Sequence, residues 1–425
     1  MAFSSTLATH FFLICSLLFI SSSTAKTSTR PKGLILPVSK DLSTLQYITE
    51  IKQRTPLVPV KLAVDLGAQF LWVDCEKDYT TSSYRPALCD SAICSFAKST
   101  SCMTECYSPA RPGCTNNTCT LIPENTYAPI ATSGAVGCDA LAVQSASGRP
   151  VTIPHFLFVC GATLLLDKLS SGVTGMAGLG RTKMSMPSQL FAAFSLKRKL
   201  GVCLSSTSSN GNIFFGEFDS STAPLTYTPL LTNPVSTAGV YSEGDASSEY
   251  FIGVESIKIN EKVVRINPTL LSINGTTGHG GTKISTVDKY TVLETSIYKA
   301  VLKAFAKELN VPRVPSVAPF GACFSAKKIG TAYTGPAVPT IDLVLQSKDV
   351  YWRIYGGNSM VQVNKDVLCL GFVDGGLNSR TSIVIGGHQV EENLLEIDIA
   401  ASKLGFSPLL YRKQICANFR FAARA

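Results

Sequence analysis

Two stretches far apart in the chain have the same shape. Residues 62–73, LAVDLGAQFLWV, read as an apolar strand, a tight turn at Asp65 and a second apolar strand. Residues 282–294, TKISTVDKYTVLE, repeat that order. Each is followed by an apolar run closing on glycine, GMAGLG at 175–180 and IVIGG at 383–387. The duplication implies two lobes related by a pseudo-twofold, with a cleft where the two turns meet. A chain of 425 residues is also too long for one ordinary domain. The seam is expected near 205–225. That divides the mature chain into an N-terminal lobe over 26–218 and a C-terminal lobe over 219–425.

Short strands punctuated by Gly, Asn and Ser fill both halves. KLAVDLG, FLWVDC, ALAVQS, HFLFVC, NIFFGEFD, EYFIGVESIKIN, KVVRI and TIDLVL point to an all-β protein. Helical periodicity is confined to 186–199 and, more clearly, to 295–309, where apolar residues recur at three- and four-residue spacing.

The first 25 residues read as a secretory leader. FFLICSLLFI at 11–20 is an apolar run of signal-peptide length, and SSSTA supplies small residues for cleavage after Ala25. Ten apolar residues are too few to span a bilayer, so no membrane association is expected of the mature form. Cysteine use agrees with export. Of 14 cysteines, Cys15 leaves with the leader, and six of the remaining 13 crowd into an insertion at 89–119. These are Cys89, Cys94, Cys102, Cys106, Cys114 and Cys119. No His lies near enough for a zinc cluster, so disulfides are the expected use. An odd count leaves one thiol over. Asn116 and Asn274 begin glycosylation sequons.

The formal charge of +9 is dispersed, with no Arg/Lys stripe interleaved with aromatics, which argues against nucleic acid. The four His show no metal spacing. GHGG at 278–281 lacks a companion Gly-x-Ser-x-Gly nucleophile turn and reads as a turn. No metal or cofactor is expected.

Asp65 is the most informative residue. It sits in an apolar strand, where a carboxylate is costly unless something pairs with it. Its turn resembles the catalytic turn of pepsin-type aspartic proteases of the Cys-rich plant kind, and the resemblance covers residues 30 to 420. It implies a bilobal, mostly β fold. It also implies a mechanism in which two carboxylates, one from each lobe, share a proton and activate a water. In the first turn Asp65 and Gly67 fit the Asp-Thr-Gly pattern, but Leu66 replaces the bracing Thr and Ala68 the Ser/Thr. In the second, Ser285 stands where the other Asp belongs, with Thr286 and Val287 after it. Asp288 lies beyond the turn and is not read as a substitute. Tyr127 matches the flap tyrosine, with APIATSG in place of a Gly-rich tip. The dyad is therefore lost. Asp65 is expected to be held by backbone N–H groups and the Ser285 hydroxyl.

A closer resemblance is to the inactive branch: extracellular dermal glycoproteins, xyloglucan-specific endoglucanase inhibitor proteins, wheat-type xylanase inhibitors and basic 7S globulins. It is carried by GMAGLGRTKMSMPSQL, LTNPVSTAG, SSEYFIGVESIKIN, GGTKISTVDKYTVLETSIY, SVAPFGACF, GPAVPTIDLVLQ, VLCLGFVDGG and TSIVIGGHQVEENLL. The resemblance implies a secreted, apoplastic defence protein, monomeric, whose partner is a microbial glycoside hydrolase. Two C-lobe loops would reach the paired carboxylates of the hydrolase cleft. Arg412 in LLYRKQICANF matches the inhibitory Arg, while Tyr333 stands where the second loop usually carries Arg. The resemblance also implies Cys75–Cys160, Cys203–Cys416, Cys323–Cys369 and three bridges inside 89–119 with their pairing open. It makes Cys138 the odd thiol, since position 138 would otherwise be polar or acidic. Two other functions compete: an active aspartic endopeptidase, and a 7S-type storage or peptide-binding globulin.

Overall fold

The computed structural model describes residues 30–221, 223–239, 244–410 and 415–423. The leader therefore lies outside the described residues. No helix among the described residues is long and apolar enough to cross a membrane.

The sequence repeat is a repeat of topology. Strand Val58–Asp65 runs parallel to Gly175–Gly178, with Asp65 opposite Gly178. Gly175–Gly178 also pairs antiparallel with Trp72–Asp74, which runs parallel to the end of Pro150–Gly161. In the second half Thr282–Ile284 runs parallel to Ile383–Ile385. Ile383–Ile385 pairs antiparallel with Thr291–Leu293, which runs parallel to Phe372–Asp374. In both halves the apolar-apolar-Gly element is the wedge between the two strands that flank the turn. A side chain fits poorly on it: a Cβ at Gly178 would lie 2.2 Å from the Phe70 carbonyl oxygen.

A shared sheet joins the lobes. Its order is Leu34–Lys40, Gly211–Phe215, Lys199–Cys203, Leu394–Asp398, Lys403–Phe406 and Thr226–Leu231, all antiparallel. The halves meet at Lys199–Cys203 against Leu394–Asp398. This sheet explains one departure from expectation. The first of the two expected helices spans Met186–Phe194 rather than reaching 199, because Ser195 turns left-handed at φ 51° and Lys199 enters the central ladder. The second helix runs Thr295–Leu309 as its periodicity indicates. Glu294 caps it by accepting the Ser296 and Ile297 N–H groups, and Asn310 ends it in a left-handed conformation.

A buried polar node also ties the lobes. Glu391 accepts the Tyr47 hydroxyl at 2.6 Å and the Lys40 ammonium at 2.6 Å, and His388 Nδ1 lies 3.6 Å from its other oxygen. Gly387 brings the backbone against Tyr47, whose ring a Cβ would meet at 2.6 Å.

Candidate functional site in the cleft and on the C-lobe loops

The two turns face each other as near copies. Asp65 Oδ1 accepts the N–H groups of Gly67 at 2.8 Å and Ala68 at 3.1 Å. Ser285 Oγ accepts those of Val287 and Asp288, both at 3.1 Å. Both residues thus close the same side-chain-to-backbone turn, two and three residues on, which Asp and Ser can each make. The Ser285 hydroxyl makes the same turn as the Asp65 carboxylate but carries no charge.

Bracing across the twofold is one-sided. Thr286 Oγ1 donates to the Val64 carbonyl at 2.9 Å and accepts the Leu66 N–H at 3.0 Å. Leu66, 1% exposed, packs in the core and offers no reciprocal hydroxyl.

The partner of the second Asp65 oxygen differs from the one expected. Thr126 Oγ1 donates to Oδ2 at 2.9 Å, whereas the Ser285 hydroxyl oxygen is occupied by its own turn. Thr126 hangs from the hairpin Glu124–Asn125 and Ile130–Ala131, beside Tyr127, whose hydroxyl reaches the Thr286 carbonyl at 3.5 Å. Burial pushes the Asp65 carboxyl up to about 6, against the lowering effect of the Gly67 N–H and the Thr126 hydroxyl. Burial, with Asp65 and Asp288 nearby, also raises the Tyr127 phenol above its ordinary value.

One pair was not read from the sequence. Lys283 Nζ lies 2.6 Å from Glu249 Oε1, and the Thr237 hydroxyl donates to the other oxygen. Glu249 can lie over the first turn because Gly67 has no side chain; a Cβ there would meet Glu249 Cγ at 2.7 Å. Thr237, Ala238, Gly239, Ser248 and Glu249 line the cleft beside the first turn. The Gly239 N–H donates to Glu124 at 3.1 Å, and the Ser248 hydroxyl donates to the Gly67 carbonyl at 2.6 Å. What remains is a cavity of about 220 Å³ bounded by both turns, Phe70, Trp72, Ile122 and Thr126.

Of the two C-lobe positions, Tyr333 does not line this cavity. Tyr333 is at the tip of the hairpin Thr331–Ala332 and Gly335–Pro336 and is 77% exposed. Arg412 lies outside the described residues, but both ends of its segment are fixed to one residue. The Leu410 N–H donates to the Glu392 carbonyl at 2.7 Å, and the Cys416 N–H to its carboxylate at 2.6 Å. The same carboxylate takes the Ser206 N–H at 2.7 Å, beside the Cys203–Cys416 bridge.

Among the described residues five disulfides form: Cys75–Cys160, Cys89–Cys102, Cys106–Cys114, Cys203–Cys416 and Cys323–Cys369. The expected third bridge inside 89–119 is absent. Cys94 and Cys119 are thiols, as is Cys138, and all three are buried. Cys94 on helix Ala92–Phe96 lies beside Cys119 on strand Thr118–Leu121. Burial and this contact push the Cys119 thiol up to about 12, so the thiolate that oxidation requires is scarce. Two thiols in contact should oxidise as a unit. Unreduced denatured protein, alkylated and mapped by mass, is expected to carry tags on Cys94, Cys119 and Cys138. After diamide treatment at alkaline pH the first two should lose their tags together and Cys138 keep its own. Loss from one alone would contradict the pairing. Asn116 and Asn274, the sequon residues, are exposed.

Family models match most of the chain: "Xylanase inhibitor N-terminal" over residues 47–217 and "Xylanase inhibitor C-terminal" over 249–408. A probable aspartic proteinase GIP2 of Nicotiana benthamiana is 59% identical, covering 98% of both chains. Gamma conglutin 1 of Prunus dulcis is 42% identical, covering 97% of this chain and 96% of its own. Among solved structures, that of edgp superposes with a TM-score of 0.89 at 55% identity, covering 92% of this chain and 99% of the other. Basic 7S globulin from soybean gives a TM-score of 0.78 at 38% identity, covering 89% and 96%.

Proposed function

This chain belongs to the xylanase-inhibitor family of aspartic-protease-like proteins, and from that membership we propose that it is a secreted, proteolytically inactive inhibitor of microbial cell-wall-degrading endoglucanases. The target class is the xyloglucan-cleaving type. The observation that carries the reading is the Ser285 turn, which sets a hydroxyl opposite Asp65. Proton sharing between two carboxylates is what lets one act as base and the other as acid. Asp65 alone cannot do both. The hydrogen bonds of Ser248 to Gly67 and of Gly239 to Glu124, which tie this stretch to both sides of the cleft, further oppose peptide entry.

Inhibition is assigned to the C-lobe surface instead. A hydrolase cleft offers paired carboxylates, and an Arg presented by a tethered loop can grip one bidentately. Tyr333 adds an exposed aromatic ring suited to stacking or hydrogen bonding at the rim, without charge. Export fits the number of disulfides.

Two assays test this. Purified protein should capture and inhibit a xyloglucan-cleaving endoglucanase, and it should leave casein intact at pH 3 to 5. Ser285→Asp alone should give little activity, because Leu66 still lacks the bracing hydroxyl. Pepstatin-sensitive digestion abolished by Asp65→Ala would restore the endopeptidase reading, which the printed name of the Nicotiana relative favours. Failure to inhibit any such hydrolase would put the storage or peptide-binding globulin reading first, as the conglutin relatives favour.

A further inference from the structure

The cleft has lost one carboxylate but has not become an apolar plug. Four carboxylates line it, from Asp65, Glu124, Glu249 and Asp288, against the single ammonium of Lys283. Their partners divide them. Glu249 is matched by Lys283 and Thr237, and Glu124 by the Gly239 N–H. Asp65 is hydrogen-bonded by N–H and hydroxyl groups but faces no cation of its own. Among the described residues no hydrogen bond or ion pair reaches the Asp288 carboxylate. Two carboxylates are thus left without a directly paired cation beside a partly open cavity, where a cation would be held more strongly than on the open surface.

Apolar side chains also line the cavity: Phe70 and Trp72, only 9% and 2% exposed, and Ile122, 46% exposed. The Trp72 indole nitrogen is already bound to the Glu124 carbonyl at 3.0 Å, so the ring is fixed. A cavity lined both by carboxylates without a paired cation and by fixed aromatic side chains suits a ligand with a cationic head and a flat apolar body. About 220 Å³ is below the usual range of ligand pockets, from about 300 Å³ upward, which excludes peptides and oligosaccharides.

We propose that this cavity binds a small primary amine bearing a flat apolar group, with the ammonium paired to Asp65 and Asp288 and the apolar part against Phe70 and Trp72. Among the described residues, none that lines the cavity belongs to the C-lobe loops assigned to hydrolase inhibition. The site therefore stands or falls independently of that assignment, and Asp65→Asn should leave inhibition unchanged.

The probe is benzylamine, with benzyl alcohol as its neutral counterpart, titrated into the intact protein at pH 7.5 by calorimetry and by thermal unfolding. Benzylamine should bind and raise the unfolding midpoint with concentration, and benzyl alcohol should do neither. Asp65→Asn and Asp288→Asn should each weaken binding at least about tenfold. The Asp288 variant keeps the test decisive if the Asp65 variant folds poorly, since the Asp288 carboxylate makes no hydrogen bond. Affinity should fall as pH drops through about 6, where Asp65 takes up a proton among Glu249, Lys283, Tyr127 and Asp288. No binding of benzylamine, equal binding of the alcohol, or indifference to both substitutions would overturn the proposal.

Discussion

Arg412→Ala is expected to abolish inhibition of the target endoglucanase. Arg412 sits between Leu410 and Cys416, and both of those residues are hydrogen-bonded to Glu392. Cys416 is further cross-linked to Cys203 on the central sheet. Fixing both ends of a loop lowers the conformational entropy it loses on binding, so more of the contact energy appears as affinity. An Arg placed between two acidic groups of a hydrolase cleft would be desolvated and bidentate. Truncating an anchor of that kind typically costs about 2–4 kcal/mol, or roughly 30- to 1000-fold in the inhibition constant. Tyr333→Arg should act in the opposite direction. It adds a cation at an exposed hairpin tip. Inhibition constants for the two variants and the double variant settle the matter. Undiminished inhibition by Arg412→Ala sinks the loop mechanism, and weaker inhibition by Tyr333→Arg removes the second loop from it.

The two turns were legible in the sequence because their signal is local. Asp65 ends an apolar strand and Ser285 directly follows one, and a duplicated strand–turn–strand carries its own evidence. The bridges Cys75–Cys160, Cys203–Cys416 and Cys323–Cys369 followed from the family resemblance. The contacts that decide the chemistry of the cleft were not legible. Thr126 reaches Asp65 across 61 positions of sequence. Lys283 meets Glu249 because two strands of the second lobe pair Phe251 with Lys283, a register that no single-strand pattern contains. Cys94 and Cys119 show the limit of counting. Parity assigns every cysteine but one to a bridge, whereas the thiol chemistry depends on burial that only packing creates. The early end of the first expected helix has the same origin: Lys199 is drawn into a ladder whose other strand lies near the end of the chain.

Glu391→Ala is expected to destabilise the molecule by about 3–5 kcal/mol, the usual result of removing one member of a buried ion pair. The side chain of Lys40 is 11% exposed and that of Glu391 2%, so the remaining ammonium would be left with little water and no countercharge. The Tyr47 hydroxyl would lose its acceptor at the same time. Because Lys40 and Tyr47 come from the first lobe and Glu391 from the second, the loss falls on the joint between them. Replacing both partners by apolar residues, Lys40→Met with Glu391→Leu, should recover most of the deficit, since no uncompensated charge then remains. The pH dependence has a definite sign. Burial acts to raise the Glu391 carboxyl, but His388 and Lys40 outweigh it and hold it below its ordinary value of 4.5. A carboxylate depressed in the folded state contributes stability that is full above its unfolded value and lost as pH falls through the folded one. The gap between wild type and Glu391→Ala in urea unfolding should therefore be widest above pH 4.5 and close progressively in more acid solution. A gap that stays constant into strong acid would mean that Glu391 contributes by packing rather than by charge. A double variant no more stable than Glu391→Ala would show that the node is needed as an ion pair to hold the two lobes in register.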